Sequence, residues 1–372
     1  MSLTDMKNIK DFYFLISNTL ILFSILVLGV HIFLATHYGN KAIDYVAKLS
    51  PVAREEYKHL TNDQVNELLN ATWNLPGGGW EYEEWVGFKE AERKSKFINV
   101  NSYGVRSNKQ EVFDMNSIND AIWMFGGSTT FGYGVADAET IPAIIEKTTN
   151  NRVINFGRAY FYSAQENTLL TKILEAGYKP KKVVFLDGIN ERCDIDSYQA
   201  EMKILFRNSQ KAYNWTLGEV IGPINFGLVK ILAKLGKHSP QNNSKLHDLK
   251  CTSFGAEQSL EVIHLNNLIQ RKALCSQYNL DCKTFVQPFA GVHGIHNDYD
   301  MLKQEVRDKL YTKYQLMQDN WRKFGAIFVT DSLDKRNSHS FIDDVHYSFE
   351  ANKLIAISIS KHIEQVPDSI IR

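Results

Sequence analysis

Ile118 to Gly134 reads INDAIWMFGGSTTFGYG. Ala121 to Phe125 is an apolar run of strand length. It stops at Gly126-Gly127, which can take backbone angles closed to other residues, and Ser128, Thr129 and Thr130 follow at once. Open α/β folds bind ligands beyond the carboxyl ends of parallel strands, and a strand ending in glycines and hydroxyls suits that edge. Ser128 comes first past the glycines, so its hydroxyl and its N–H can both face a crevice. The plainer alternative is a turn with no chemistry. A phosphate-binding Walker loop needs a Lys followed by Ser or Thr after its last glycine, and none follows. The dinucleotide fingerprint needs a third glycine where Asp137 stands.

Downstream, short apolar runs alternate with helical periodicity. Val153 to Phe156 is a second strand, ended by Gly157. Ser163 can cap a helix through Leu169, Leu170, Ile173 and Leu174 to Gly177. Val183 to Leu186 is a third strand, leading into Asp187-Gly188-Ile189-Asn190-Glu191. Thr284 to Val286 is a fourth, ending in Gln287-Pro288, and Ala326 to Val329 a fifth. Helical stretches are predicted near 256–276, 301–322 and 349–363. Strands alternating with helices predict an α/β domain, a parallel five-stranded sheet covered on both faces. It runs over 118–372, with an insertion at 194–250 as a lid or membrane-leaning patch.

Upstream, residues 12–36 carry no Asp, Glu, Lys or Arg. About 20 apolar residues span a bilayer as a helix. The run is too long for a signal-peptide core and no small-residue cleavage pattern closes it, so a retained transmembrane anchor is expected after a short segment 1–11. Lys7 and Lys10 on one side, and Lys41, Lys48 and Arg54 on the other, leave orientation open by the positive-inside count. The expectation adopted is a short N-terminus inside and the large domain outside the cytoplasm. Residues 37–117 read as a helical stalk, its second helix capped near Asn62-Asp63, and then an aromatic, extended apron. Trp80, Tyr82 and Trp85 there are structural packing or a sugar-stacking face.

Bulk numbers narrow the function classes. The chain has 372 residues, 44% of them hydrophobic, and a formal net charge of zero. That balance gives no basic footprint for nucleic acid. Cys193, Cys251, Cys275 and Cys282 lack paired zinc-ligand spacing, and no metal or cofactor is expected. Cys275 and Cys282 are the favoured bridge, with unpaired thiols the alternative.

Candidate groups now stand at several strand ends: Ser128, Gly157, Asn190, and Asp343-Asp344-Val345-His346 before the last helix. Acyl transfer needs a nucleophile, a base, a carboxylate to orient the base, and donors for the oxyanion. These positions supply each. From about 119 to 365 the chain resembles the SGNH/GDSL hydrolase family. Its Gly-Asp-Ser block is similar to Gly126-Gly127-Ser128, its second glycine to Gly157, its Gly-x-Asn-Asp block to Gly188 through Glu191, and its Asp-x-x-His block to Asp343 through His346. Gly127 and Glu191 stand where the family has Asp.

The resemblance implies a flavodoxin-like three-layer fold and a serine ester mechanism. Ser128 would be the nucleophile, His346 the base and Asp343 its orienter, with Asp344 a rival. Ser128 and Gly157 N–H groups and the Asn190 amide would bind the oxyanion. Arg158 and Gln287 are expected to contact substrate, Arg158 through an anionic sugar. An acylated glycan or lipid-linked sugar, as substrate of an esterase or O-acyltransferase, is the expected partner. A catalytically silent glycan-binding or assembly protein is the alternative, motivated by Gly127. Oligomeric state is not read from the sequence.

Overall fold

A computed structural model describes residues 3–38, 42–75, 79–108, 115–191, 250–253, 256–293, 303–334 and 339–364. Cys193 and the expected insertion, up to residue 249, lie outside the described residues. The first helix, α1, is Leu3–Tyr38, and the expected span 12–36 falls inside it. Its Tyr13–Val30 stretch has a mean hydropathy of 2.2 and none of its residues is buried; it is long and apolar enough to cross a bilayer.

The next segment builds small elements: α2 (Pro51–Glu55), α3 (Asn62–Trp73), and two antiparallel pairs, β1 (Trp80–Glu83) with β2 (Gly87–Glu90) and β3 (Arg93–Lys94) with β4 (Asn99–Val100). Thr61, not Asn62-Asp63, caps α3. Its hydroxyl accepts from Gln64 N while the Gln64 side chain accepts from Thr61 N at 2.9 Å, a reciprocal capping box. Val65, Leu68 and Leu69 of α3 are buried in one apolar cluster with Trp123 and Phe125, so α3 belongs to the core on this side of the sheet.

The sheet and its cover follow in chain order: β5 (Ile122–Gly126), α4 (Ser128–Phe131), α5 (Ile141–Thr149), β6 (Val153–Asn155), α6 (Ser163–Glu175), β7 (Lys182–Asp187), a hairpin of β8 (Lys250–Ser253) and β9 (Ala256–Ser259), α7 (Leu260–Gln277), β10 (Cys282–Val286), α8 (Gln304–Lys323), β11 (Ile327–Phe328) and α9 (Phe349–Ile363). The helix expected from 256 therefore starts at Leu260, where Ser259 caps it, because Ala256–Ser259 pairs back on β8. Ser163 is the first residue of α6 and not its cap: its hydroxyl is turned to Glu191 instead.

Five parallel strands pair in the order β11-β10-β7-β5-β6. Numbered by chain position, that is the 2-1-3-4-5 order of flavodoxin-like sheets, read from the β6 edge. Side chains alternate across it as the pleat requires. Ile122, Met124, Val184 and Leu186 face a layer with Ile144 of α5 and Ile355 and Ile359 of α9. Trp123, Phe125, Val183 and Phe185 face the other layer with Leu169, Leu170 and Ile173 of α6. A second patch on β10, with Val286 and Phe289, packs on Leu268 of α7 and Met317 and Trp321 of α8. The fold is thus three layers, α/β/α. Each large side chain buried this way contributes roughly 1.5–3 kcal/mol. A disulfide between Cys275 and Cys282 ties the end of α7 to the start of β10.

One residue that local pattern does not mark joins the upstream segment to the nucleophile turn. Arg106 is 1% exposed. Its Nε donates to Asp137 at 2.8 Å, and its other nitrogens donate to the carbonyls of Phe131, Gly132 and Val135. These carbonyls lie at and beyond the open end of α4, where the helix leaves acceptors unpaired. Replacing Arg106 by Met would strand the buried Asp137 charge. The expected loss is about 3–5 kcal/mol of stability. Tryptophan-monitored unfolding of the full chain in detergent checks it, and an unchanged midpoint would contradict this role.

Candidate active site

The strand order reverses beside β5, between β6 and β7. Connections leave a sheet in opposite directions at such a point, which opens a crevice at the carboxyl edge. Ser128 starts α4 directly after β5, so its N–H has no partner within the helix. Asn190 follows β7 and Gly157 follows β6.

His346 arrives from the far end of the chain. Ile342 N donates to His346 O at 2.9 Å and Phe341 bridges Tyr347, closing a tight loop just before Ser348 caps α9. Within the loop, Asp343 Oδ1 accepts the N–H groups of Val345 and His346. Asp343 Oδ2 lies 2.7 Å from His346 Nδ1, and His346 Nε2 lies 2.9 Å from Ser128 Oγ. A carboxylate only accepts, so Nδ1 carries the proton, and Nε2 presents a lone pair to the serine hydroxyl. Asp343, not Asp344, holds the ring. Burial would raise the Asp343 carboxyl, but the His346 ring and the two backbone donors hold it below its ordinary value. Burial and the neighbouring Asp343 charge raise Asp344.

Two aromatic rings confine the imidazole. Tyr133 stacks on it at 5.6 Å and 19°, and Trp73 of α3 meets it at 6.1 Å. The Tyr133 hydroxyl donates to Glu90, which is fully buried. Glu90 also accepts from Ala159 N at 3.0 Å, two residues past Gly157. The upstream segment therefore supplies one wall of the site. Sequence spacing does not mark Tyr133, Trp73 or Glu90, since each acts through a contact far along the chain.

The expected oxyanion donors lie as follows. Gly157 N–H donates to Asn155 Oδ1 at 3.0 Å. A Cβ at Gly157 would sit 2.3 Å from Phe131 N, so the backbone after β6 presses directly on the nucleophile turn and only glycine fits. The Asn190 amide donates to Phe161 O at 3.0 Å. A Cβ at Gly127 would lie 2.1 Å from Asn190 Nδ2. The glycine that departs from the family pattern is what lets the amide lie over the turn. Glu191, the second departure, accepts from Ser163 N and Oγ at 2.9 and 2.8 Å, and burial with the nearby Asp187 charge pushes it up to about 7.

The two expected substrate contacts are both buried. Arg158 is 1% exposed; it pairs with Glu83 of β1 and donates to Phe88 O, so the upstream hairpin covers it. Gln287 is 2% exposed, and its Oε1 accepts from the Thr129 hydroxyl at 2.9 Å. It braces the turn beside Ser128, and its Nε2 makes no hydrogen bond among the described residues. Of the aromatic trio, Trp80 turns inward on Phe88 and Tyr160, while Tyr82 and Trp85 remain exposed.

No protein-family model and no curated protein matches the chain. Solved structures similar to it include a carbohydrate acetylesterase family member from Sinorhizobium meliloti, at 12% identity, covering 66% of this chain and 98% of that one with a TM-score of 0.37. A member of the lipolytic G-D-S-L family from Veillonella parvula matches at 10% identity, 65% and 96% coverage and a TM-score of 0.35. A GDSL-like lipase from Bacteroides thetaiotaomicron matches at 13%, 70% and 95%, and 0.34. Likeness at this level decides nothing about activity.

Restoring the family residue at 127 offers a test of this geometry. Gly127→Asp is expected to leave the chain folded but to push the Asn190 amide off the turn. A crystal structure of the variant checks it; Asn190 still bonded to Phe161 O would contradict the packing described.

Proposed function

We propose that this chain is a serine ester hydrolase or O-acyltransferase that acts on an acylated, most simply acetylated, glycan or lipid-linked sugar. The observation that carries the reading is the hydrogen-bonded series Asp343–His346–Ser128, at 2.7 and 2.9 Å. In this reading Ser128 Oγ attacks the ester carbonyl as its proton passes to His346 Nε2. The negative charge that develops on the carbonyl oxygen would be met by the N–H groups of Ser128 and Gly157 and by the Asn190 amide. His346 returns the proton to the departing alcohol, leaving an acyl group on Ser128. Water or an acceptor hydroxyl, deprotonated by the same nitrogen, then takes that acyl group. Which acceptor arrives separates hydrolysis from transfer. Asn190 Nδ2 donates one hydrogen to Phe161 O and has a second for the oxyanion, whereas Gly157 N–H would have to exchange Asn155 Oδ1 for it.

The sugar assignment is supported by the exposed aromatic residues Tyr160, Tyr82 and Trp85. Tyr160 comes three residues after the expected oxyanion glycine, Gly157, and touches Trp80. A membrane anchor at 12–36 with the α/β domain outside the cytoplasm would hold the site near envelope substrates, which is the localisation we propose.

Hydrolysis of p-nitrophenyl acetate by the full chain in detergent tests the reading. Ser128→Ala is expected to lower kcat by at least about 10³-fold. Asn190→Ala, with one oxyanion donor removed, is expected to lower it by about 10²–10³-fold. Equal rates for wild type and Ser128→Ala would refute a serine mechanism for this ester class.

A further inference from the structure

A second polar cluster lies behind the Asn190 loop, enclosed between β7, α6 and α7. Asp187 ends β7, Glu191 closes the loop after it, and Ser163 and Glu166 come from α6. His264, Asn267 and Arg271 recur at three- and four-residue spacing along α7, so one helix face carries all three. Asp187 and Glu191 are each 2% exposed and His264 is fully buried.

Arg271 donates to Asp187 Oδ2 at 2.7 Å and to Glu166 Oε2 at 2.9 Å. Glu191 is met by neutral donors, the N–H and hydroxyl of Ser163. Lys313 donates to Ile189 O at the margin. Asp187 and Glu166 thus share one guanidinium, and Glu191 beside them has only neutral donors. A buried ion without a compensating charge costs several kcal/mol, so a further positive charge would be stabilising here.

The cluster also holds unused donors and acceptors. Neither ring nitrogen of His264 makes a hydrogen bond among the described residues, and neither does Asp187 Oδ1. A ring nitrogen of His264 and carboxylate oxygens of Asp187 and Glu191 all lie within 4.8 Å of one another. A first-row divalent ion bonds such groups at about 2.0–2.2 Å, so a small inward movement of the three side chains would bring them to bonding distance, with a water as fourth ligand.

We propose that Asp187, Glu191 and His264 form a site for one first-row divalent cation of the zinc class. The mixed nitrogen and oxygen set argues for such an ion over calcium or magnesium, which favour all-oxygen shells. Ser163 and Arg271 would orient the two carboxylates from outside the shell, as outer partners of metal ligands do. The ion would clamp both ends of the Gly188–Asn190 loop while lying apart from the Ser128–His346 pair. Its role is structural, and it stands whether or not the ester reading does.

The test uses the full chain in detergent, stripped with EDTA, desalted and titrated with zinc chloride. Zinc per chain by mass spectrometry and the shift in melting temperature are read together. The expected result is about one zinc per chain with a raised melting temperature. His264→Gln and Glu191→Gln should each weaken zinc binding by at least about tenfold and lose the shift. Glu191→Gln is close in shape and can still accept from Ser163 N, so it decides the matter if His264→Gln fails to fold. Ser128→Ala should bind zinc as wild type does. The proposal is overturned if the wild type retains no zinc and shows no shift, or if the folded variants bind zinc as tightly as wild type.

Discussion

A 2.9 Å hydrogen bond joins two residues that are 218 positions apart, Ser128 and His346. Such a contact exists only if the first strand of the sheet and the loop before the last helix end at the same place. The strand order makes that happen. β5 is flanked by β6 and β7, so the nucleophile turn leaves the sheet where neighbouring connections diverge. α5 and α9 pack together on one face, and that packing delivers the loop carrying His346 to the same edge. The core thus fixes a polar distance through apolar contacts.

The turn itself is held from four directions. Backbone of Gly157 presses on Phe131, Asn155 donates to the carbonyls of Thr130 and Phe131, Gln287 accepts from Thr129, and Arg106 satisfies the carbonyls beyond α4. Each group is nearly or fully buried, so each would cost heavily if left unpaired. A short helix of this kind has little stability of its own. Its geometry comes from these partners, and so does the orientation of Ser128.

The sheet was legible in the sequence because its strands are short apolar runs closed by Gly, Asp or Pro. Ile122–Gly126, Val153–Asn155 and Lys182–Asp187 fall within one residue of their predicted bounds at every end. The residues now gathered at the crevice were legible for a different reason: strand ends concentrate polar chemistry in a few positions each. What spacing could not carry was tertiary cover. Arg158 follows a strand end and reads as a surface cation, but Glu83 from a distant hairpin buries it. Gln287 reads the same way, yet Thr129 claims its oxygen. Glu90 and Tyr133 look like ordinary apron and turn residues until the fold stacks Tyr133 on His346. A single His on α7 gave no signal at all, because its carboxylate neighbours come from β7 and the loop beyond it.

The central claim is that Ser128 is a nucleophile made reactive by His346. The most direct measurement is peptide mapping by mass spectrometry after treating the folded full chain with a fluorophosphonate. The account requires one phosphonyl adduct on Ser128, lost in His346→Ala and after denaturation before treatment. Absence of the adduct on folded wild type, or equal labelling of the His346→Ala chain, would contradict it.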